Sequence, residues 1–177
     1  MRLAPLPADE WDETVQRSLS GMLPPDRCNP RDAGNALSTF ANHPTLAKAF
    51  LRFNIHLLYS STLPPRVREL AILRVAHRRH CAYEWTHHVT LAKEAGLRDD
   101  EIAAVRRGEA ADEFERAVLA GVDELDEQSR MSDETWAALG ERLNDRQRMD
   151  LVFTVGCYTL LAMAFNTFGV QLENERG

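Results

Sequence analysis

Apolar residues recur three or four positions apart along nearly the whole chain, and no stretch alternates apolar with polar. The segments between breaks are therefore predicted to be helices that each bury one face. Proline and glycine set the breaks. Asp9 is predicted to cap a first helix running to about Gly21, with Trp11, Val15 and Leu19 on one face, before Leu23-Pro24-Pro25 and Asn29-Pro30 interrupt it. A short helical stretch near Ala36 to Ala41 follows, and Asn42-His43-Pro44 opens a helix through Leu46, Phe50, Phe53 and Leu57. Pro64-Pro65 starts a helical pattern that continues through Cys81 to Ala95, where Gly96 takes the place of a left-handed C-terminal cap. Further helices are predicted over Asp99 to Arg107, Glu113 to about Glu127, Ser132 to Arg142 and Asp145 to about Gln171, the last opened by an Asn144/Gln147 capping box. The fold class is all-α, in a single domain, with residues 1–34 as an N-terminal helix and arm and residues 35–177 as the main helical part.

A chain of 177 residues can bury roughly two thirds of the surface its unfolded form exposes. A net charge of -6 opposes the concentrated basic surface that general nucleic-acid binding demands. Cys28, Cys81 and Cys157 are widely spaced and form no Cys-x-x-Cys pair, so neither a disulfide framework nor a thiol zinc site is expected. The N-terminus lacks an apolar signal core, and the longest uninterrupted apolar run, Leu160 to Phe165, falls far short of a membrane span. A cytoplasmic protein without nucleic-acid or membrane partners is expected. Its charge is unevenly placed: Arg66 to Arg79 holds five arginines against one acid, Glu69, whereas Asp99 to Glu134 holds thirteen acids against four arginines. The ordinary reading is two faces that pair within or between subunits. The functional reading is an arginine-assisted pocket for a small carboxylate, with Arg74, His77 and Tyr83 as the candidate substrate contacts.

Sliding the chain by 80 residues matches Leu63, Arg66, Arg68, Val75 and Ala82 with Leu143, Arg146, Arg148, Val155 and Ala162, a weak repeat of two helical halves. Where the first copy has Glu69, Cys81, Glu84 and His88, the second has Met149, Leu161, Ala164 and Phe168. Chemistry is thus assigned to the first copy and packing to the second.

At about 100° per residue, His77, Cys81, Glu84 and His88 share an arc of roughly 60° on one continuous helix, among mostly apolar neighbours. A carboxylate and an imidazole one turn apart can hydrogen-bond, fixing one tautomer and raising its basicity, so Glu84 and His88 form a plausible acid/base pair. Cys81 is either a small buried filler or a thiol activated by His88 or Glu69. Glu69 lies about 120° from Cys81 on an ideal helix, so a bend or break near His77 to His80 is required to bring it in. Ligands from a single helix rarely close a tetrahedral site, and no metal is expected. No Gly-rich nucleotide loop interrupts the helices.

The segment Leu63-Pro-Pro-Arg-Val-Arg-Glu-Leu-Ala-Ile-Leu-Arg-Val-Ala, followed by His-Arg-Arg-His-Cys81-Ala-Tyr-Glu84-Trp-Thr-His-His88 and Ala92-Lys-Glu-Ala-Gly96-Leu, resembles the carboxymuconolactone decarboxylase family. That superfamily includes the alkylhydroperoxidase D-type peroxidases, and the motif core covers Leu63 to Leu97. The resemblance implies an alkylhydroperoxidase D-like helical fold, chemistry without cofactor, and a homo-oligomer, trimer or hexamer, with sites near subunit contacts. Peroxidase members carry a Glu, a Cys-x-x-Cys and a His four residues on; the matching positions are Glu69, Cys81, Glu84 and His88, so the attacking cysteine is absent and the two-cysteine cycle cannot run through this motif. The decarboxylase side implies acid/base chemistry beside a developing enolate on a small lactone acid.

The expected function is a cofactor-independent acid/base enzyme of lyase or decarboxylase type acting on a small acidic or oxygenated metabolite, with Glu69, Cys81, Glu84 and His88 as catalytic residues. The alternative is an antioxidant peroxidase using Cys81 as its single nucleophile, resolved by an outside thiol or by Cys157. Trp11, Trp85, Trp136, Phe165 and Phe168 supply large apolar groups for self-association. The arm before Asn35 is the segment expected to cross to a neighbour.

Overall fold

A computed structural model describes residues 1–173 of the chain. Among these residues helices and turns carry the fold, and no strand is formed. The α-helices are α1 Glu13–Leu19, α2 Pro30–Phe40, α3 Pro44–Ile55, α4 Pro65–Arg78, α5 Ala82–Glu94, α6 Asp99–Val105, α7 Glu113–Gln128, α8 Asp133–Gly140 and α9 Asp145–Phe168. Close contacts group Met1–Ser60 with the stretch from Ala164 onward, and Ser61–Met163 as a second unit.

In the first unit Asp12, rather than Asp9, caps α1: its Oδ1 accepts from the N–H groups of Thr14 at 2.8 Å and Val15 at 2.9 Å. Asp9 lies in a separate turn, Ala8–Glu10. Asn29-Pro30 opens α2 instead of interrupting, because the Asn29 side chain accepts from Arg31 and Asp32 while Pro30 lacks only an N–H that a first helical turn does not need. Val15, Leu19, Cys28, Ala41 and Leu51 form the core, with Trp11 and Phe50 packed against it. The N–H groups of Arg2 and Leu3 donate to the Phe168 carbonyl at 2.7 and 3.1 Å. These two bonds tie the start of the N-terminal arm to its own chain.

In the second unit α4 is enclosed, with Val67, Glu69, Leu70, Ala71, Ile72, Leu73, Arg74, Val75 and Ala76 all buried. It packs against α5, α6 and α7. A helix so enclosed must neutralise the charges it carries. Arg66 pairs with Glu115 at 2.6 Å and Glu101 at 2.8 Å, and Arg78 with Glu127 at 2.7 Å and Asp126 at 2.9 Å. Arg74 grips Asp123 through Nε and Nη2, both at 2.7 Å, and donates from Nη1 to the carbonyls of Val105 and Arg106 at 2.9 Å. The basic run and the acidic run therefore meet within one chain. Arg74, expected to bind a substrate carboxylate, has its guanidinium engaged by Asp123 and a helix end instead.

Helices α4 and α9 begin at Pro65 and Asp145, the same separation as the repeat. The predicted capping box forms, Asn144 and Gln147 exchanging side-chain-to-backbone bonds at 3.0 Å. Helix α9 is also long and apolar enough, by length and composition, to cross a membrane, although 44% of its most apolar stretch is buried against its own chain. The uninterrupted run from Leu160 to Phe165 understated this, because isolated polar residues divide a helix that is apolar as a whole.

Replacing Arg74 with Met leaves Asp123 only the longer Arg78 contact at 3.4 Å and strips two carbonyls of their donor. The expected loss is about 3 kcal/mol in urea unfolding. Arg17→Met, which removes an exposed pair with Glu13, is expected to change stability by less than about 0.5 kcal/mol.

Candidate active site

Helix α4 stops abruptly. The N–H of Arg79 donates to Val75 at 2.9 Å, that of His80 to His77 at 3.1 Å, and that of Cys81 reaches back to Ala76 at 2.9 Å. This closure puts His80 at φ 54°, the left-handed position after a helix that glycine usually fills. Here is the break that Glu69 requires. The chain reverses, α5 packs beside α4, and Cys81 becomes the N-cap residue of α5.

The break splits the stripe expected on one continuous helix. His77 remains on α4, its ring 6.1 Å from that of Trp85, over which the Arg106 guanidinium lies at 4.1 Å. Burial, reinforced by Arg74 and Arg106, holds the His77 imidazole below its ordinary range. Tyr83 packs on His87, ring centres 4.4 Å apart. His77 and Tyr83 thus contact aromatic neighbours, while Glu69 and His88 meet elsewhere.

Glu69, fully buried, brings Oε2 to 2.7 Å from Nδ1 of His88. Its other oxygen accepts from Nε of Arg68 at 2.9 Å. Glu69 thereby orients the ring, with Nδ1 of His88 against its carboxyl group and Nε2 turned away. The ring stands edge-on to Tyr158, centroids 4.9 Å apart. Sequence reasoning passed over Arg68 and Tyr158. Arg68 is legible as the neighbour of Glu69 in the arginine run, whereas Tyr158 reaches His88 only through the packing of α9.

The expected Glu84–His88 bond is not formed, because His88 turns to Glu69. Glu84 is 3% exposed, and neither carboxyl oxygen has a hydrogen-bond partner of good geometry. Burial pushes its pKa up to about 8, offset in part by the adjacent Cys81 thiol. Burial first, and then the charge on Glu84, push the Cys81 thiol up to about 12. The backbone N–H groups of Glu84 and Tyr83, at the start of α5, pull the other way and are outweighed. At neutral pH the pair is a carboxylic acid beside a thiol. No three His, Cys, Asp or Glu side chains among the described residues gather so as to hold a metal ion.

Residues 44–127 match the carboxymuconolactone decarboxylase family, a stretch that contains Glu69, Cys81, Glu84 and His88. The alkylhydroperoxidase AhpD core of a peroxidase-related protein from Ralstonia eutropha JMP134 superposes with a TM-score of 0.78 at 18% identity, over 99% of this chain and 95% of that one. A peroxidase-related protein from Silicibacter sp. TM1040 gives 0.77 at 15% identity, over 99% and 94%. The debrominase Bmp8 gives 0.74 at 17% identity, over 97% and 91%, and its cysteine-to-alanine variant is known in complex with 2,3,4-tribromopyrrole. No curated protein matches the chain. The match to the carboxymuconolactone decarboxylase family thus covers residues 44–127, and the described residues share the all-helical fold of these AhpD-like structures.

Two outcomes follow from this geometry. His80→Gly relieves the left-handed residue and is expected to raise stability by about 1 kcal/mol in chemical denaturation. Between the ordinary carboxylate pKa of 4.5 and about 8, folded Glu84 keeps a proton that the unfolded chain releases. Its contribution to stability is therefore full below pH 4.5 and is lost as pH rises to about 8, with a slope of at most about 1.4 kcal/mol per pH unit. Unfolding of Glu84→Gln across that range is expected to be flatter than wild type.

Proposed function

We propose that this protein is a cofactor-independent acid/base enzyme of the lyase or decarboxylase type, acting in the cytoplasm on a small lactone acid or similar carboxylated metabolite. The observation that carries this reading is a buried, protonated Glu84 near the start of α5, one turn before a His88 whose ring Glu69 orients. A lyase needs one group that gives a proton and one that takes a proton. Glu84 gives its proton to the carbon at which charge develops. His88 takes the acidic proton of the substrate carboxyl group through Nε2, its imidazolium being stabilised by Glu69. When a carboxylate leaves as CO2, its bonding pair passes into the conjugated carbonyl as an enolate, and the proton from Glu84 restores a neutral carbon. Both groups return to their starting states by exchange with water.

A second reading is thiol chemistry at Cys81. It is favoured by the helix N-terminus under the sulfur and by the likeness of fold to peroxidase-related proteins and a debrominase. It is opposed by a thiol that is 1% exposed with its pKa pushed up to about 12.

Purified protein assayed on a panel of small lactone carboxylic acids, with CO2 release as readout, tests the proposal. Glu84→Gln and His88→Ala are expected to lower kcat by about 10²–10⁴-fold, while Cys81→Ser stays within a few-fold. Wild-type activity is expected to fall above about pH 8, as Glu84 loses its proton. Consumption of an organic hydroperoxide with a dithiol reductant that disappears in Cys81→Ser, without CO2 release from any acid, would overturn the reading.

A further inference from the structure

Two arginines follow α6, and their partners differ. Arg107 pairs with Glu109 at 2.7 Å. Arg106 forms no ion pair among the described residues, and its exposed guanidinium lies over the half-buried ring of Trp85, 4.1 Å from the centroid. Its backbone is nonetheless fixed. The carbonyls of Val105 and Arg106 both accept from Nη1 of Arg74 at 2.9 Å, and a Cβ added at Gly108, where φ is 73°, would come within 3.1 Å of Nη2 of the same guanidinium. Arg106 thus has a set anchor and a set platform, so little freedom is left to lose when it binds. On the other side of Trp85 stands His77, the two rings edge to face at 6.1 Å. The strongest charges acting on His77 are those of Arg74, Arg106, His80 and Arg78, all cationic when protonated. Arg74 and Arg78 have carboxylates of their own, so the uncompensated charge at this corner, in a chain of net charge -6, is that of Arg106. Trp85 also borders the candidate site. It comes four residues after Cys81 and three before His88, one turn of α5 from each, a spacing that sets side chains about 5–6 Å apart at Cβ.

We propose that Arg106, held over Trp85 and beside His77, receives the carboxylate that a small acid substrate keeps through the reaction, a role that rests on the acid/base reading of Glu84 and His88. A guanidinium stacked on an indole keeps its N–H groups in one plane, where two of them can donate side by side to a carboxylate. One such fork saturates a carboxylate, whereas a phosphate dianion calls for more than the single uncompensated cation present here. An ion pair with a carboxylate about to leave as CO2 would stabilise the starting state and slow its loss, so the group held at Arg106 is one that stays. Arg74, the arginine that the basic run singles out for this contact, serves it at one remove: it fixes the backbone from which Arg106 reaches Trp85.

In proton–nitrogen NMR of the labelled full chain the three tryptophans give three indole signals, that of Trp85 being the one lost in Trp85→Phe. Titration with paraconate, a lactone bearing one carboxylate, is expected to move this signal saturably, while the methyl ester of paraconate leaves it in place. Arg106→Gln is expected to weaken paraconate binding about 10- to 100-fold and Arg107→Gln less than about twofold, both with unchanged helical circular dichroism. Equal binding of acid and ester, no binding of paraconate, an Arg106→Gln affinity within about twofold of wild type, or tighter binding of inorganic phosphate than of paraconate would each overturn the inference. The comparison of acid with ester uses the wild type and decides alone if Arg106→Gln fails to fold. None of these readouts needs turnover, so an absence of CO2 release from every lactone acid counts against the acid/base reading and leaves the subsite standing. Where CO2 is released, Arg106→Gln is expected to raise KM with kcat within a few-fold; an unchanged KM overturns the subsite and leaves the acid/base reading standing.

Discussion

The 2.7 Å contact between Glu69 and His88 joins two helices that a continuous segment would have kept apart. On an unbroken helix from Pro65 to Glu94 the two residues are nineteen positions and roughly 28 Å apart along the axis, too far for any side chain. The reversal at Arg79, His80 and Cys81 folds the second half beside the first, and the site follows from that. Glu69 can sit fully buried because Arg68 and His88 satisfy both of its oxygens. Cys81 caps a helix because it is the first residue after the reversal. A non-glycine residue held at positive φ is the local strain that the tertiary packing sustains there.

The second constraint is electrostatic. Helix α4 is buried on nearly every side yet carries four arginines, and each of them, Arg66, Arg68, Arg74 and Arg78, finds a carboxylate within the same unit. Such pairing holds α6 and α7 against α4 and commits the Arg74 guanidinium to Asp123 and to the carbonyls of Val105 and Arg106. It also isolates Glu84. Every acid that pairs with α4 gains a guanidinium, whereas Glu84 faces only a thiol, and its carboxyl is the one held protonated at neutral pH by burial. The contrast between Glu69 and Glu84, both buried and on adjacent helices, arises from partners rather than depth: Glu69 has Arg68 and His88 on its two oxygens, whereas burial alone pushes the Glu84 pKa up.

Most of the fold was legible in the sequence, because helix breaks are written locally by Pro44, Pro64, Gly96 and Gly108 and amphipathic periodicity survives between them. The errors fell where a local signal had two readings. Asn29-Pro30 is both a breaker and a capped helix start, and the side-chain bonds that decide between them depend on φ and ψ at Asn29. Glu69, Cys81, Glu84 and His88 stand out as candidates from their types and spacing, but their pairing does not. Helical spacing made Glu84 the natural partner of His88. The actual partner is set by the reversal at His80, whose left-handed conformation carries no compositional signature, so the break near His77 to His80 follows from the need to bring Glu69 in and not from any residue there.

The candidate site residues lie in only one copy of the repeat. The two helices start at equivalent positions, Pro65 and Asp145, and keep Leu63 and Leu143, and Val75 and Val155, buried alike. They part at the reversal. The stretch Arg79-His80-Cys81 corresponds to Thr159-Leu160-Leu161, which stays helical, so α9 runs on unbroken. An unbroken helix cannot fold its later residues back on its earlier ones, and the position matching Glu69 is Met149, left exposed at 57% instead of paired. One local event, a helix that stops or continues at equivalent positions, thus separates a buried Glu69–His88 pair from an exposed apolar face.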